Sequence, residues 1–365
     1  MYQALYRKYR PKNFDDVVGQ EHITVTLKQE ISSGRVGHAY LFTGSRGTGK
    51  TTCSKIIAKA VNCPNQQDGN PCGVCDICKG IDDGSILDVT EIDAASNNGV
   101  DNIRQLREEA NFTPAVTKYR VYIIDETHML SVGAFNALLK IMEEPPEHVI
   151  FILATTEVHK IPATILSRCQ RFDFRRISNE SIVSRLGAVC VAEGVEFEGD
   201  ALDLIAHHAG GGMRNALTSL EQTIAFGEGK VTLEVAERML GGVDTSDVAE
   251  IVRAIGTRDV AACFRWTADY VETGADLAQF VRDLAEHVRN MYVLTLAGAD
   301  VALEVSDATR RELAHEMQWF GPDRLSRLLG VLGDLSAELK TSTNPRLSFE
   351  IALTRMVRPD SDLTL

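Results

Sequence analysis

The stretch "AYLFTGSRGTGKTTCSKIIAKAVN", residues 39–62, decides the fold. An apolar run, "AYLF", leads into "GSRGTGKT", which fits the pattern G-x-x-x-x-G-K-[ST] at every position and is followed by a helical pattern. A strand, a glycine-rich loop and a helix in this order are typical of a phosphate-binding loop, because the backbone N–H groups meet phosphates at the helix N-terminus. The alternative is a glycine-rich turn that binds nothing, and the flanking strand and helix argue against it.

This loop supplies the first candidate site residues. Lys50 is placed to reach the β- and γ-phosphates of ATP, and the Thr51 hydroxyl is placed to hold Mg²⁺. The full set of expected phosphate-binding residues is Gly44, Ser45, Arg46, Gly47, Thr48, Gly49, Lys50, Thr51 and Thr52.

A second acidic site decides whether the loop belongs to an ATPase. In "VYIIDETH", residues 121–128, an apolar strand ends on Asp125, which is placed to help hold Mg²⁺. Glu126 follows where it can orient the attacking water. A solvated acidic turn is the alternative. The letters also match a D-E-x-H helicase box, and His128 by itself does not separate the two enzyme classes.

The order of apolar runs predicts an α/β fold. Four β-branched runs alternate with helical patterns at residues 39–44, 87–93, 119–125 and 149–156, which indicates a parallel sheet covered on both faces. From residue 179 onward the patterns are helical, so no strands are expected for the second core that such a helicase needs. The glycine pair in "LGGVDTSD", residues 240–247, indicates a helix stop and a new start.

Charge and hydropathy narrow the functional class. The net charge is −13, and residues 1–178 hold 21 basic and 21 acidic side chains against 17 and 30 in residues 179–365. A chain with this charge lacks the excess of basic side chains expected of a protein that binds nucleic acid on its own. No apolar run approaches the roughly 20 residues of a membrane span, and "MYQALYRKYR" is not a secretory leader. We expect a soluble, cytoplasmic protein.

Four cysteines in "CPNQQDGNPCGVCDIC", residues 63–78, predict a metal site. They are spaced C-x8-C-x2-C-x2-C, which suits one tetrahedral Zn²⁺ held by four thiolates in a closed, structural site. Redox chemistry at a C-x-x-C pair is the alternative, and two consecutive C-x-x-C steps with a fourth cysteine favour ligands. The zinc ligands are expected to be Cys63, Cys72, Cys75 and Cys78, and the other four cysteines to be ordinary buried thiols.

Four motifs together resemble one family. They are "LYRKYRPKNFDDVVGQEH" (5–22), "GSRGTGKT" (44–51), "IDETHMLSVGAFNALLKIMEEPPEH" (124–148) and "LATTEVHKIPATILSRC" (153–169). In this combination they resemble the gamma/tau subunits of bacterial DNA polymerase III clamp loaders, which are AAA+ ATPases. The cysteine-rich insertion narrows the resemblance to gamma/tau, and the match is strong over about the first 240 residues.

The resemblance implies three domains. These are a RecA-like AAA+ core at residues 1–178, a helical lid at 179–242 and a helical collar domain at 243–365 that assembles five subunits into an open ring. It also implies partners: the delta and delta prime subunits, further gamma/tau copies, the sliding clamp (beta) and primer-template DNA without sequence specificity. If the natural chain continues beyond Leu365, the resemblance implies the polymerase core and the replicative helicase as further partners.

Further site residues come from the resemblance alone. It implies that either Thr155 or Thr156 senses the γ-phosphate, that Arg168 of "SRC" acts in trans on a neighbour's site, and that Arg214 acts in cis from the lid. Residues implied near the adenine are Tyr9, Arg10, Pro11 and Val18.

The sequence departs from the family's usual pattern at two positions. Thr127 stands where an aliphatic residue is expected, which we interpret as a packing variation. Asn215 stands where an acidic residue is usual, and we expect this change to alter how the neighbouring Arg214 is held.

The sequence leaves alternatives open for DNA contact and for the function. Ser96, Asn97 and Asn98 precede a helix whose N-terminus could meet DNA phosphates, but such residues are equally favoured as ordinary helix caps. The function could also be that of another AAA+ DNA motor, of the branch-migration type, or of a loader scaffold that does not hydrolyse ATP. The intact phosphate loop and acidic pair argue against the scaffold.

Overall fold

The computed structural model describes residues 3–240, 245–272, 276–298 and 307–358. The chain divides into two compact units, Met1–Ala236 and Glu237–Leu365, and each is described by itself. The glycine pair expected to separate two helices, and the polar ending "PDSDLTL", lie outside the described residues.

The first unit alternates helices with the strands of one sheet. Its strands are β1 (Ala39–Thr43), β2 (Val89–Asp93), β3 (Arg120–Asp125), β4 (Val149–Thr155) and β5 (Gln170–Asp173). Its helices are α1 (Leu5–Lys8), α2 (Glu21–Ser32), α3 (Lys50–Asn62), α4 (Asp76–Asp83), α5 (Val100–Glu109), α6 (Val132–Glu143), α7 (Ala163–Leu166), α8 (Asn179–Glu193), α9 (Gly199–His208) and α10 (Met213–Phe226), and α11 (Leu233–Leu240) carries the chain across the division.

The five strands form a parallel sheet in the order β2-β3-β4-β1-β5. The predicted α/β class is confirmed, and the four predicted strands agree with the observed ones to within two residues. The fifth strand, β5, was not among them, because a four-residue strand with one buried side chain, Phe172, gives too short a signal. The register aligns Asp125 with Asp93, and Thr43 with Thr155, so the carboxyl ends of the strands meet at one edge.

Alternate residues of the central strands build two separate cores. On β3, Val121 and Ile123 face one core while Tyr122 and Ile124 face the other. The first core includes apolar residues of α2 and α3, and the second those of α5 and α6. A sheet buried on both faces explains why its strands are almost continuously apolar in sequence.

A short strand pair corrects one expectation. Glu196–Phe197 (β6) pairs in parallel with Lys230–Val231 (β7), whereas the sequence predicted no strands after residue 178. Two-residue strands are too short to show the alternation that identifies a strand. The pair lies among helices α8 to α11 and does not form a second nucleotide-binding core.

The second unit consists of helices in its described part. They are α12 (Thr245–Gly256), α13 (Val260–Glu272), α14 (Leu277–Ala297), α15 (Asp307–Glu316), α16 (Pro322–Glu338) and α17 (Pro345–Val357). Trp266 lies at the centre of an aromatic cluster, with its ring centroid 4.7 Å from that of Tyr270 and 4.4 Å from that of Phe280. Apolar faces of all six helices contribute to this core, as the helical period of the sequence predicts.

Among the described residues, no helix combines the length and the apolar character that crossing a bilayer requires.

Candidate nucleotide and metal sites

The phosphate loop joins β1 to α3 with a backbone that requires glycine. Gly44 has φ +140° and Gly47 has φ +82°, both in the region that side chains disfavour. A Cβ atom on Gly44 would lie 2.4 Å from the carbonyl oxygen of Phe174. One on Gly47 would lie 3.2 Å from the Cα of Gly212. The loop is therefore fixed between neighbouring backbones and leads directly into the N-terminus of α3.

Lys50 is the first residue of α3 and is buried, with 7% of its surface exposed. Its Nζ donates hydrogen bonds to the carbonyl oxygens of Gly44, at 2.8 Å, and Ser45, at 2.7 Å. Burial lowers the pKa of Lys50, while Asp125 and Glu126 act in the opposite direction. The loop thus surrounds a cation that faces two carboxylates, which suits the binding of a polyphosphate together with a divalent metal.

Thr51 and Asp125 meet across the edge of the sheet. The Thr51 hydroxyl donates a hydrogen bond of 2.7 Å to Oδ2 of Asp125. A hydroxyl and a carboxylate are hard oxygen ligands, and Mg²⁺ is commonly held by one or two such groups with phosphates and waters completing its shell. The residues present therefore fit the Mg²⁺ that an AAA+ ATPase fold implies.

Glu126 adopts a backbone conformation that is rare for a residue with a side chain. Its φ and ψ are +47° and +44°, in the left-handed region. Non-glycine residues held in this region cost about 1–3 kcal/mol and cluster at functional sites, where surrounding contacts keep them in place. One such contact is a 3.2 Å hydrogen bond from the Thr156 hydroxyl to Oε2 of Glu126.

The two candidate sensor threonines have different surroundings. Thr155 is fully buried, and its hydroxyl oxygen accepts a 3.0 Å hydrogen bond from the backbone N–H of Glu157 and lies 3.1 Å from Nδ1 of His128. Thr156 is half-buried and its hydroxyl contacts Glu126. Sequence could not separate the two residues, and only Thr156 directs its hydroxyl at the carboxylate that would orient water.

The N-terminal segment links the phosphate-loop helix to α8. Arg10 donates from Nε to the Thr52 hydroxyl at 3.2 Å, and burial lowers the pKa of its guanidinium. The hydroxyl of Tyr9 is hydrogen-bonded to Glu193, and Arg185 donates to the Tyr9 carbonyl at 3.2 Å. The other two expected adenine contacts, Pro11 and Val18, are half-buried.

The two candidate arginines each have partners that sequence did not indicate. Arg168 is one-third exposed, and its Nη2 lies 2.9 Å from Oε1 of Glu143. Arg214 is exposed, and its Cζ lies 4.8 Å from the centre of the Tyr6 ring, a cation–π contact. The Glu143–Arg168 contact joins residues 25 positions apart, and the Tyr6–Arg214 contact joins residues 208 positions apart. No local sequence pattern could reveal either contact.

The two departures from the family pattern differ in their surroundings. Asn215 is exposed at the start of α10. Thr127 is fully buried, and its hydroxyl contacts the carbonyl oxygens of Ile124 at 2.8 Å and Ala154 at 3.1 Å. The threonine thus does more than fill space, because it bonds the end of β3 to the end of β4.

The four clustered cysteines have the geometry of a zinc site. Their sulfur atoms all lie within 4.8 Å of one another. The Cys63–Cys75 and Cys72–Cys78 pairs are 3.9 and 4.0 Å apart, close to the about 3.8 Å expected of a Zn²⁺ tetrahedron with bonds of about 2.3 Å. Backbone N–H groups of Val74 and Cys75 lower the pKa of Cys72 to about 6, whereas burial raises that of Cys78. A bound cation would compensate the buried thiolates.

The segment that carries the cysteines packs on the core through polar contacts. The backbone N–H of Phe14 donates to the Asn70 side chain at 2.9 Å, and Asn70 donates to Asp15 at 2.7 Å. On the other side, the buried Lys59 lies 2.9 Å from Asp82. With so few apolar residues of its own, the segment depends on these contacts and on its sulfur cluster.

The three residues considered for DNA contact lie on the surface. The hydroxyl of Ser96 and the amide of Asn97 both donate to Asp93, and Asn98 is exposed. The N-cap of α5 is Gly99, with no side-chain cap bond, so these side chains do not cap the helix. Their contact with DNA stays a prediction.

The fold and the site together define a class. A parallel sheet in this strand order, a phosphate loop after β1, an acidic pair after β3 and a helical lid are the parts of an AAA+ nucleotide-binding module. Three family models match the chain: "DNA polymerase III, delta subunit" at residues 19–178, "DNA polymerase III clamp loader subunit, ATPase lid domain" at 181–229, and "DNA polymerase III subunits gamma and tau domain III" at 231–364.

Individual relatives agree with these models. DNA polymerase III subunit tau of Bacillus subtilis is 46% identical over 97% of this chain and 63% of its own length. Subunit gamma/tau of Mycobacterium bovis is 40% identical over 98% and 63%, and subunit tau of Escherichia coli is 42% identical over 86% and 49%. The chain belongs to the DNA polymerase III gamma/tau family. It spans between about half and two thirds of the length of these relatives.

A solved structure overlaps the chain more loosely. The Thermotoga maritima RuvB Holliday junction branch migration motor covers 68% of this chain and 79% of its own, with a TM-score of 0.48 and 18% identity. An overlap at that level does not decide between a loader and a motor.

Proposed function

We propose that this chain is the ATP-hydrolysing subunit of a DNA polymerase III clamp loader, which opens a sliding clamp and places it on primed DNA. The observation that carries the proposal is the junction of Lys50, Thr51 and Asp125 beside Glu126 in a member of the gamma/tau family. The groups that would bind the phosphates, hold Mg²⁺ and orient water meet there. The three domains that the sequence predicts, a core, a lid and a collar, remain part of the proposal.

The side chains divide the work of hydrolysis between them. The phosphate loop and Lys50 bind and orient the phosphates, and Thr51 and Asp125 hold Mg²⁺, which neutralises charge on the phosphates when bound. Glu126 accepts a hydrogen bond from the attacking water and orients it. Because the Thr156 hydroxyl contacts Glu126, it is the better candidate for the γ-phosphate sensor than the buried Thr155.

Replacing Thr156 by valine tests this choice. We expect Thr156→Val to lower the rate of ATP hydrolysis by about 10²-fold, since one positioned donor to developing charge is lost. The affinity for ATP should change little. Thr155→Val is the comparison variant: it leaves the N–H of Glu157 without its acceptor, so it should lower the free energy of unfolding by about 1–3 kcal/mol and lower the rate by a smaller factor than Thr156→Val. Single-turnover hydrolysis and thermal unfolding of both variants check the assignment, and the opposite pattern would reverse it.

The partners follow from family membership and the ring architecture it implies. We infer assembly with delta, delta prime and further gamma/tau copies into a pentamer, with Arg168 reaching a neighbour's nucleotide. The clamp and primer-template DNA would contact the ring, and any segment beyond Leu365 would contact the polymerase core and the helicase. We infer that the protein acts at replication forks in the cytoplasm.

A steady-state ATPase assay tests the function. The full-length protein, reconstituted with its loader partners, is assayed alone, with the clamp, with primed DNA and with both. A loader hydrolyses ATP fastest when clamp and primed DNA are both present. A branch-migration motor is stimulated by duplex DNA alone, and a scaffold shows no hydrolysis under any of the four conditions. Either of these last two results would overturn the proposal.

A further inference from the structure

His128 lies beside the carboxylate of Glu126, and the reaction described above gives it no role. Its side chain is 8% exposed and lies between the carboxylates of Glu126 and Glu157. Nε2 is 3.2 Å from Oε1 of Glu157, and Nδ1 is 3.1 Å from the Thr155 hydroxyl and 3.5 Å from Oε2 of Glu126. The imidazole thus contacts the ends of both β3 and β4.

The contacts around the imidazole form a closed ring. Glu157 is held ionised by Lys160, whose ammonium lies 2.8 Å away and is the largest cause of the lowered pKa of that carboxyl. Oε1 of this carboxylate lies 3.2 Å from Nε2 of His128. Nδ1 is hydrogen-bonded to the Thr155 hydroxyl at 3.1 Å, and the oxygen of that hydroxyl accepts from the Glu157 backbone N–H. Each of the three residues, His128, Thr155 and Glu157, contacts the other two.

This ring fixes the distance between Glu126 and Thr156, which must act together in hydrolysis. Glu126 precedes His128 by two residues on one side of the gap, and Thr156 lies between Thr155 and Glu157 on the other. The Glu126 backbone is in the left-handed region and keeps that conformation only if neighbouring contacts hold it. A shift of about 1 Å in such a group can lower a rate by about 10²-fold.

We propose that His128 and Glu157 are positioning residues, which hold Glu126 and Thr156 in register for ATP hydrolysis. The inference rests on the proposed function and deepens it at the same site. Neither residue touches the reacting atoms in this role. Glu157 orients the imidazole, and the imidazole supports the end of β4 next to Glu126.

The test compares His128→Ala and Glu157→Gln in the full-length protein reconstituted with its loader partners. We expect His128→Ala to lower the single-turnover rate at saturating ATP by about tenfold or more. The Kd for a non-hydrolysable ATP analogue should stay within about threefold. Glu157→Gln should lower the same rate by a smaller factor. Because Glu157 acts through His128, the double variant should be no slower than His128→Ala alone.

Two further variants separate positioning from general disturbance of the site. His128→Gln carries an amide that can donate to Glu157, and it should recover part of the rate that His128→Ala loses. His159→Gln is the matched control, since His159 is 72% exposed and lies 3.7 Å from Oε2 of the same Glu157 carboxylate. It should leave the rate unchanged.

The outcomes are distinguishable. A wild-type rate in His128→Ala, or losses in rate and analogue affinity of equal size accompanied by a lower Tm, would overturn the positioning role while the proposed function stands. If His128→Ala does not fold, Glu157→Gln decides, because it keeps the size of the side chain and removes only its charge. A wild-type protein without ATP hydrolysis contradicts the proposed function itself.

Discussion

Arg168→Ala should abolish stimulated ATP hydrolysis while leaving ATP binding nearly intact. An arginine delivered to a neighbour's γ-phosphate is worth about 10³ to 10⁵ in rate, because it stabilises charge that develops in the transition state. In this chain Arg168 contacts Glu143 and the carbonyl oxygen of Thr164, at 2.9 and 2.7 Å, which belong to α6 and α7 and not to the phosphate loop. Single-turnover hydrolysis and analogue binding in the reconstituted loader give the two quantities.

The controls for this prediction come from the same region. Arg168→Lys keeps the positive charge but loses the planar guanidinium group with its paired N–H donors. We therefore expect it to recover little of the rate of ATP hydrolysis. Arg171→Ala removes a nearby exposed arginine that pairs with Asp173 at 2.8 Å, and it should hydrolyse ATP normally. Normal turnover of Arg168→Ala in the loader would show that this arginine has no role in trans.

Removing the metal should unfold the cysteine segment. Zinc binding to a four-thiolate site is worth on the order of 10 kcal/mol, and residues 63–83 contain few apolar residues that could replace it. We expect one Zn²⁺ per chain of reduced protein, and Cys78→Ser, which removes a fully buried ligand, should lose the metal and expose the segment to proteolysis. Metal analysis together with limited proteolysis measures both effects.

A matched cysteine variant makes this test specific. Cys190→Ser also replaces a fully buried thiol, but its residue lies in α8 and outside the sulfur cluster, so zinc content should stay at one per chain. A metal content near zero in the wild-type protein would contradict the assignment of a zinc site.

The parts of the site that could be predicted share one property. Lys50, Thr51 and Asp125 each lie in a motif in which a strand, a turn and a helix follow within a few residues, and a parallel sheet necessarily brings the ends of its strands together. The cysteine spacing likewise confines four sulfur atoms to one short segment. For these features local sequence already limits the geometry.

The parts that could not be predicted depend on contacts between distant segments. The Tyr6–Arg214 stack and the Glu143–Arg168 pair join loops and helix ends that no periodicity connects. The two-residue strands β6 and β7 are set by the packing of the helices around them, and they carry no alternation of their own. Thr127 looked like a packing variation in sequence because its acceptor on β4 is 27 residues away.

The sequence by itself therefore determined the class of fold, the phosphate loop, the acidic pair and the cluster of four cysteines, since each is a local pattern of residue types at a fixed spacing. Only the tertiary structure showed that Thr155 is buried while the Thr156 hydroxyl contacts Glu126, and that Glu157 lies against His128. The reason is physical: which hydroxyl is buried and which faces a carboxylate is fixed by how the ends of β3 and β4 pack, and the sequence has two adjacent threonines with identical chemistry.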